Sequence, residues 1–145
     1  MGQKRIWTFT VNPTVDTNTA VDHVVAERKL RCDEGHQEPG GGGVNVTRAI
    51  GKMGGESNAI YLAGGHTGTR LTGMLEAEGV HASPIPIRDE TRENFIVFER
   101  QSGLQYRFGM PGPEVSAAET TACLDAVAEK LAEGDYLVAS GSLAR

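Results

Sequence analysis

Short apolar runs alternate with helix-spaced apolar positions along most of this chain. Ile6 to Val11 is a strand-like run ended by Asn12-Pro13, and Ala59-Ile60-Tyr61-Leu62-Ala63 is a second, followed by Gly64-Gly65. A short run near Ile85 to Ile87 and a last one from Tyr136 to Ala139 complete the set. Between them, Val46, Ala49, Ile50 and Met53 keep the i, i+3, i+4, i+7 spacing of a one-faced helix over 44–53, stopped by Gly54-Gly55. Thr67 is placed to cap a second helix with Leu71, Met74 and Leu75 on its apolar face and Gly79 at its end. Ser116 and Glu119 form an S-x-x-E capping box opening a third helix, with Leu124, Val127, Ala128 and Leu131 predicted inward.

Strands and helices in this alternation predict parallel strands joined by right-handed crossovers, an α/β sheet covered on both faces. Such sheets bind ligands beyond the carboxyl ends of their strands. That rule gathers Asn12–Asp16, Gly64-Gly65 and Ser140-Gly141-Ser142 on one edge, each directly after a predicted strand. Two segments break the rhythm. Asn94 to Phe108 alternates apolar and polar residues around Gln101-Ser102-Gly103, the pattern of a hairpin, and Thr19 to Arg31 is strand-like with poorer alternation. Neither precedes a crossover helix, so both are assigned to a small β layer, a lid; a hairpin on the main sheet's edge is the alternative. Phe95, Val97, Tyr106 and Phe108 make this layer a sticky surface, and a dimer through it is the expectation.

The chain has 145 residues, the size of one domain. A net charge of −5 without a Lys/Arg block argues against nucleic acid as partner. No apolar stretch is long enough to span a membrane, and the strand-like start at Ile6 leaves no signal-peptide pattern, so a soluble cytoplasmic protein is expected. Cys32 and Cys123 are isolated, with neither metal-ligand nor disulfide spacing, and no metal site is expected.

The chemistry concentrates in Pro39-Gly40-Gly41-Gly42-Gly43-Val44-Asn45. Four glycines ahead of a helix let main-chain N–H groups approach a ligand, and free N–H groups with the helix dipole favour an anion. A phosphate cradle is the reading, a flexible linker the alternative. The run is neither a dinucleotide fingerprint nor a Walker A loop, since Val46 stands where each needs glycine. Asp16, just past the first strand, can accept hydrogen bonds from sugar hydroxyls with Asn45 beside it, or can satisfy its own turn. Arg92 offers paired donors to a phosphate, or is a solvated charge between Glu90 and Glu93. Lys29 and Arg31 have the same double status, and His66 has no implied partner and is assigned to a loop. Nothing forms a nucleophile–base pair.

These residues together resemble the PfkB branch of the ribokinase-like carbohydrate kinases, nearest to its ATP-dependent 6-phosphofructokinases. The match runs through Asn12-Pro13-Thr14-Val15-Asp16, Lys29-Leu30-Arg31-Cys32, Glu38 to Val46, Arg48-Ala49-Ile50, Ala63-Gly64-Gly65 with Gly68, and Thr91-Arg92. It continues in Gln105-Tyr106-Arg107-Phe108, Met110-Pro111-Gly112 and Ser140-Gly141-Ser142-Leu143. The resemblance implies a ribokinase-like αβα sandwich with a small β lid that forms a homodimer contact. It implies phosphoryl transfer from ATP, with Mg2+, to a phosphorylated ketohexose. Asp16 would then hold sugar hydroxyls, Gly41, Gly42 and Asn45 would contact the sugar phosphate, Arg92 would bind its phosphate and Ser140 would line the pocket. Lys29 matches a lysine used near nucleotide phosphates. The 1-phosphofructokinases typically carry lysine where this chain has Gly42, which favours fructose 6-phosphate, with tagatose 6-phosphate a close neighbour. Family members are about twice as long, and their other half carries the Gly-x-Gly-Asp segment with the catalytic base and most of the ATP site. The expectation is therefore residues 1–145 as the N-terminal part of one kinase domain, with lid segments near 19–31 and 94–108. Such a part binds sugar phosphate and lacks catalysis by itself.

Overall fold

The computed structural model describes residues 4–145. In chain order they form β1 (Ile6–Thr10), β2 (Thr14–Val21), β3 (His36–Gly40), α1 (Gly42–Lys52), β4 (Asn58–Ala63) and α2 (Gly65–Ala77). β5 (His81–Pro86), β6 (Arg92–Glu99), β7 (Gln105–Phe108), α3 (Ala117–Lys130) and β8 (Tyr136–Ala139) follow. The main sheet has the order β5-β4-β1-β8 with every neighbouring pair parallel. The second sheet has the order β3-β2-β6-β7, its central pair parallel and both outer pairs antiparallel.

The main sheet is sandwiched because its strands bury both faces. In β4, Ala59 and Tyr61 enter one core with Val44, Leu71 and Leu75, while Ile60 and Leu62 enter the other with Trp7, Cys123 and Val127. The period of two along a strand thus sends alternate residues to α1 and α2 on one side and to α3 on the other. Leu71 and Leu75 are fully buried, each contributing about 1.5–3 kcal/mol relative to exposure. The second sheet stands off this sandwich as the lid, so the αβα layering and the separate β layer both follow the sequence pattern.

Four chain segments pass between the two sheets or from the lid to a helix: residues 11–13, Gly41, residues 87–91 and residues 109–116. They are tied to one another. Arg92 donates through Nη2 to the Asn12 carbonyl (3.2 Å) and through Nη1 to the Met110 carbonyl (3.3 Å). Thr91 N–H donates to the Gly64 carbonyl and Gly64 N–H to Thr91 Oγ1, each at 3.0 Å.

Several local expectations are corrected. The lid strand predicted at Thr19–Arg31 runs instead over Thr14–Val21, residues 22–35 are irregular, and β3 leads directly into the glycine turn. The strand predicted near Ile85 to Ile87 covers His81–Pro86. Helix α1 forms, but not with the predicted face: Gly43, Val44 and Thr47 are buried, whereas Met53 is 79% exposed. The cause is close approach to β1, where Thr47 and Thr8 share a 2.6 Å hydroxyl hydrogen bond. A side chain at Gly43 would meet Thr10 Oγ1 at 2.5 Å and the Phe9 carbonyl oxygen at 2.8 Å. Gly43, Val44 and Thr47 pack there, while Val46 and Ile50 are half-buried and Ala49 and Met53 are exposed. In α3 the inward positions are Cys123 and Val127, while Leu124 and Ala128 face solvent. His66 is the second residue of α2 and exposed, and Thr67 lies within that helix, whose N-cap is Gly64.

Candidate functional site

The carboxyl ends of β1, β4 and β8 point to one edge because these strands are parallel. What happens there differs between the helix N-termini that arrive at it. At α2, Thr67 N–H donates to Glu90 Oε1 at 2.6 Å. That backbone hydrogen bond is the leading cause holding the Glu90 carboxyl below its usual range. The chain's own carboxylate thus fills the position an anion would take at this helix. Of the Gly64-Gly65 pair grouped with the ligand edge from sequence, Gly64 is buried beneath residues 87–91, where a side chain would meet the Ile87 carbonyl oxygen at 2.8 Å, while Gly65 is exposed.

The N-terminus of α1 is arranged differently. Gly41 is its N-cap with φ 115°, a left-handed conformation that a residue with a Cβ adopts only under strain. Gly43 N–H donates to the Ser140 carbonyl (3.0 Å) and Val44 N–H to Thr10 Oγ1 (3.0 Å). Asn45 N–H closes the first helical bond on the Gly41 carbonyl at 2.8 Å. Among the described residues, Gly41 N–H and Gly42 N–H are left without a protein acceptor. The cradle read from the four glycines is therefore short, two successive free amides at the start of the helix. Gly42 is also where the turn meets β8: a Cβ there would lie 2.5 Å from Gly141 N and 2.6 Å from Ser140 Oγ. Ser140 itself is fixed by its N–H donating to the Phe9 carbonyl at 3.1 Å.

The lid supplies the remaining groups. Asp16 on β2 lies opposite Glu38 on one side and Asn94 on the other, and Asn94 Nδ2 donates to Asp16 Oδ1 at 3.0 Å. Its carboxylate overlies Gly40, where any side chain would overlap it. Arg92, at the start of β6, is half-buried. Its two terminal nitrogens hold backbone carbonyls, while buried Nε has no partner among the described residues. No carboxylate is within ion-pair distance of Arg92 among the described residues, so its charge stays available to an anion. The fold brings Arg92 and Gly41 to the same neighbours, since Gly41 abuts Pro13 and Arg92 binds the Asn12 carbonyl.

Asp16, Gly41, Gly42, Asn45, Arg92 and Ser140 thus lie along one seam between sandwich and lid, and Asn45 is exposed on the first turn of α1. Lys29 is not joined to them. It is exposed in the irregular stretch 22–35, with no hydrogen bond or ion pair to the seam among the described residues.

Two residues of the seam have no role of their own from sequence, although Asn12 falls within the Asn12–Asp16 stretch placed on the ligand edge. Asn12 is 4% exposed, donates to Ser142 Oγ (3.0 Å) and the Leu143 carbonyl (3.1 Å), and keeps a buried, unpartnered Oδ1. Asn94 orients Asp16 from a neighbouring strand. Both act through partners about 80–130 positions away in the chain, which no local motif records.

The model of the pfkB family carbohydrate kinases matches residues 11–145. ATP-dependent 6-phosphofructokinase isozyme 2 of Mycobacterium tuberculosis is 45% identical over 142 residues, 98% of this chain and 42% of that protein. Phosphofructokinase-2 from Escherichia coli, solved in complex with fructose-6-phosphate, superposes with a TM-score of 0.93 at 42% identity. The match covers 98% of this chain and 46% of that one. The 1-phosphofructokinase of Bacillus subtilis is 29% identical over 138 residues, 95% of this chain and 44% of that protein. The chain spans less than half the length of each of these relatives. With a family match over nearly its whole length and the layered fold and lid described above, the chain belongs to the pfkB family of carbohydrate kinases.

Proposed function

We propose that this chain supplies the sugar-phosphate-binding half and lid of a 6-phosphofructokinase that transfers a phosphoryl group from ATP to fructose 6-phosphate. The observation that carries the reading is the seam between lid and sandwich. A carboxylate for hydroxyls, an unpaired guanidinium for a phosphate and two free helix-N-terminal amides meet there. In this reading Asp16 and Asn45 hold sugar hydroxyls, Gly41 and Gly42 let the backbone reach the ligand, Arg92 binds the 6-phosphate and Ser140 lines the pocket. Lys29 approaches the nucleotide phosphates. The identity of 45% to a 6-phosphofructokinase against 29% to a 1-phosphofructokinase supports the choice of sugar. So does Gly42, where the packing of Ser140–Gly141 leaves no room for the lysine expected of the latter enzymes.

No three His, Cys, Asp or Glu side chains gather around a cation among the described residues. Mg2+, ATP and the catalytic base belong to the proposal for a longer protein, in which residues 1–145 would be the N-terminal part. The homodimer belongs there too. Phe95, Phe108 and Met110 are 44%, 50% and 42% exposed on the lid beside Thr17, Thr19 and Val97, an apolar face suited to a second lid. No helix among the described residues is long and apolar enough to cross a membrane; a reduced, cytoplasmic setting suits the exposed Cys32 thiol.

Calorimetric titration of fructose 6-phosphate into this chain tests the site. Binding is expected, weakened at least about tenfold by Arg92→Ala, as loss of a charge-assisted phosphate contact predicts. Preference for fructose 1-phosphate, or no dependence on Arg92, overturns the assignment.

A further inference from the structure

Arg48 lies one turn behind the glycine turn, on α1, and all of its guanidinium nitrogens are engaged. Nε and Nη2 donate to Glu78 Oε2 and Oε1 at 2.6 and 2.8 Å, a two-pronged contact to the residue that caps the C-terminus of α2. Nη1 donates to the Pro39 carbonyl at 2.9 Å, and Glu38 Oε1 stands 3.5 Å from Nη2. The side chain is only 13% exposed. One planar group therefore ties α1, the end of α2 and the end of β3 together. An exposed ion pair contributes little, but a half-shielded bidentate one that also holds a backbone carbonyl has a fixed geometry.

We propose that Arg48 and Glu78 act as a positioning brace for the sugar-phosphate site. The inference rests on the function proposed above. Pro39 is the last residue before Gly40-Gly41, and it pairs with Val15 just as Glu38 pairs with Asp16. Holding Pro39 fixes where Gly40 lies, and Gly40 in turn bounds the Asp16 carboxylate. The same anchor sets the start of α1, and with it the Gly42 amide. The ladder with β2 also holds this stretch through the Val15–Pro39 pairing. Behind the brace is a cavity of about 590 Å3 lined by Thr47, Lys52, Ser57 and His81, and among the described residues no second cation is bonded to the turn. With Nε, Nη1 and Nη2 committed, Arg48 is not itself a ligand for the sugar phosphate.

Amide hydrogen exchange and fructose 6-phosphate titration on this chain test the brace together. In Arg48→Ala, exchange of the Gly43 and Val44 amides should rise at least tenfold, while Leu71 and Leu75 in α2 keep wild-type protection. The dissociation constant for fructose 6-phosphate should rise by a similar factor. Glu78→Gln should show the same local pattern more weakly. Arg48→Lys should restore folding without restoring affinity, because an ammonium cannot serve the carboxylate pair and the Pro39 carbonyl at once. These two milder variants decide the matter if Arg48→Ala fails to fold. Uniform loss of protection across the fold with unchanged affinity of the folded protein overturns the brace, as does unaltered exchange at Gly43 and Val44. If the wild-type chain binds no fructose 6-phosphate, the functional reading fails, and the exchange pattern still decides whether Arg48 holds the turn.

Discussion

Two glycines in α1 make a sharp test of the packing argument, because the same substitution should have opposite signs at each. Gly42→Ala adds a methyl at 2.5 Å from Gly141 N and 2.6 Å from Ser140 C and Oγ. Gly141 has φ 121° and its chain continues from β8, so the whole Ser140–Gly141 turn must withdraw. A retreat of about 1 Å restores ordinary contact but stretches the Gly43–Ser140 and Ser140–Phe9 hydrogen bonds. Overpacking of this kind costs about 1–3 kcal/mol, and each weakened hydrogen bond adds about 0.5–1.5 kcal/mol. Gly51→Ala lies in the same helix with open space around it and no left-handed backbone. Gly51 is the second-to-last residue of α1, so replacing it should stabilise by less than the roughly 0.5–1 kcal/mol of a mid-helix glycine. Urea unfolding of both variants beside wild type, with slopes compared to check that the exposed surface is unchanged, reads the difference directly. Gly42→Ala should also weaken fructose 6-phosphate binding, while Gly51→Ala leaves it intact. Equal effects at the two positions, or a stabilised Gly42→Ala, would refute the reasoning that β8 rests on the glycine turn.

Three further outcomes follow from the geometry. Glu99 accepts hydrogen bonds from Ser102 Oγ, Val24 N–H and His23, with the Ser102 bond foremost in lowering its carboxyl from 4.5 to about 2. A depressed carboxyl stabilises the fold above its unfolded value and loses that contribution as pH falls from about 4.5 toward 2, so Glu99→Gln should flatten the acid limb of a pH–melting-temperature profile. Ser116→Ala removes the side-chain half of the α3 capping box, leaving the residue's backbone N–H to donate to Glu119, and should cost about 1 kcal/mol in urea unfolding. Leu75→Ala empties a fully buried position between α2 and the sheet and should cost about 2–5 kcal/mol by the same measurement; a change below 1 kcal/mol would contradict the core described.

Strands β1, β4 and β8 were legible because each is a short apolar run bounded by turn residues, whereas β5 (His81–Pro86) was placed too late because its opening His81-Ala82-Ser83-Pro84 is not an apolar run. The lid hairpin was legible because its alternation is clean around Gly103. Helix α2 and the Ser116–Glu119 box followed from spacing alone. Periodicity failed at α1 because it counts apolar side chains, while contact with β1 is made through Gly43, Val44 and Thr47. It failed at β2 because Thr14–Val21 mixes hydroxyl, amide and apolar residues on a strand half-exposed for much of its length. Asp16, Arg92 and the glycine turn were singled out from sequence; that they share one seam is a property of the crossings between sheets. Asn12, Asn94 and the duty of Arg48 depend on partners set by tertiary structure, where single-sequence patterns carry no information.

The four crossings and their cross-links behave mechanically as a seam with a long arm. Strand β6 has 8 residues and leads to the turn at Gly103, so the tip lies roughly 25 Å from Arg92. A rotation of roughly 5° about the seam would carry that tip by about 2 Å over such a length, while Asp16 and Arg92, close to the axis, travel a small fraction of it. A fluorescent label at Gln101 or Leu104, far from the sugar-phosphate seam, is therefore an amplified gauge of lid angle. It would report a change of lid angle without touching the residues proposed to bind.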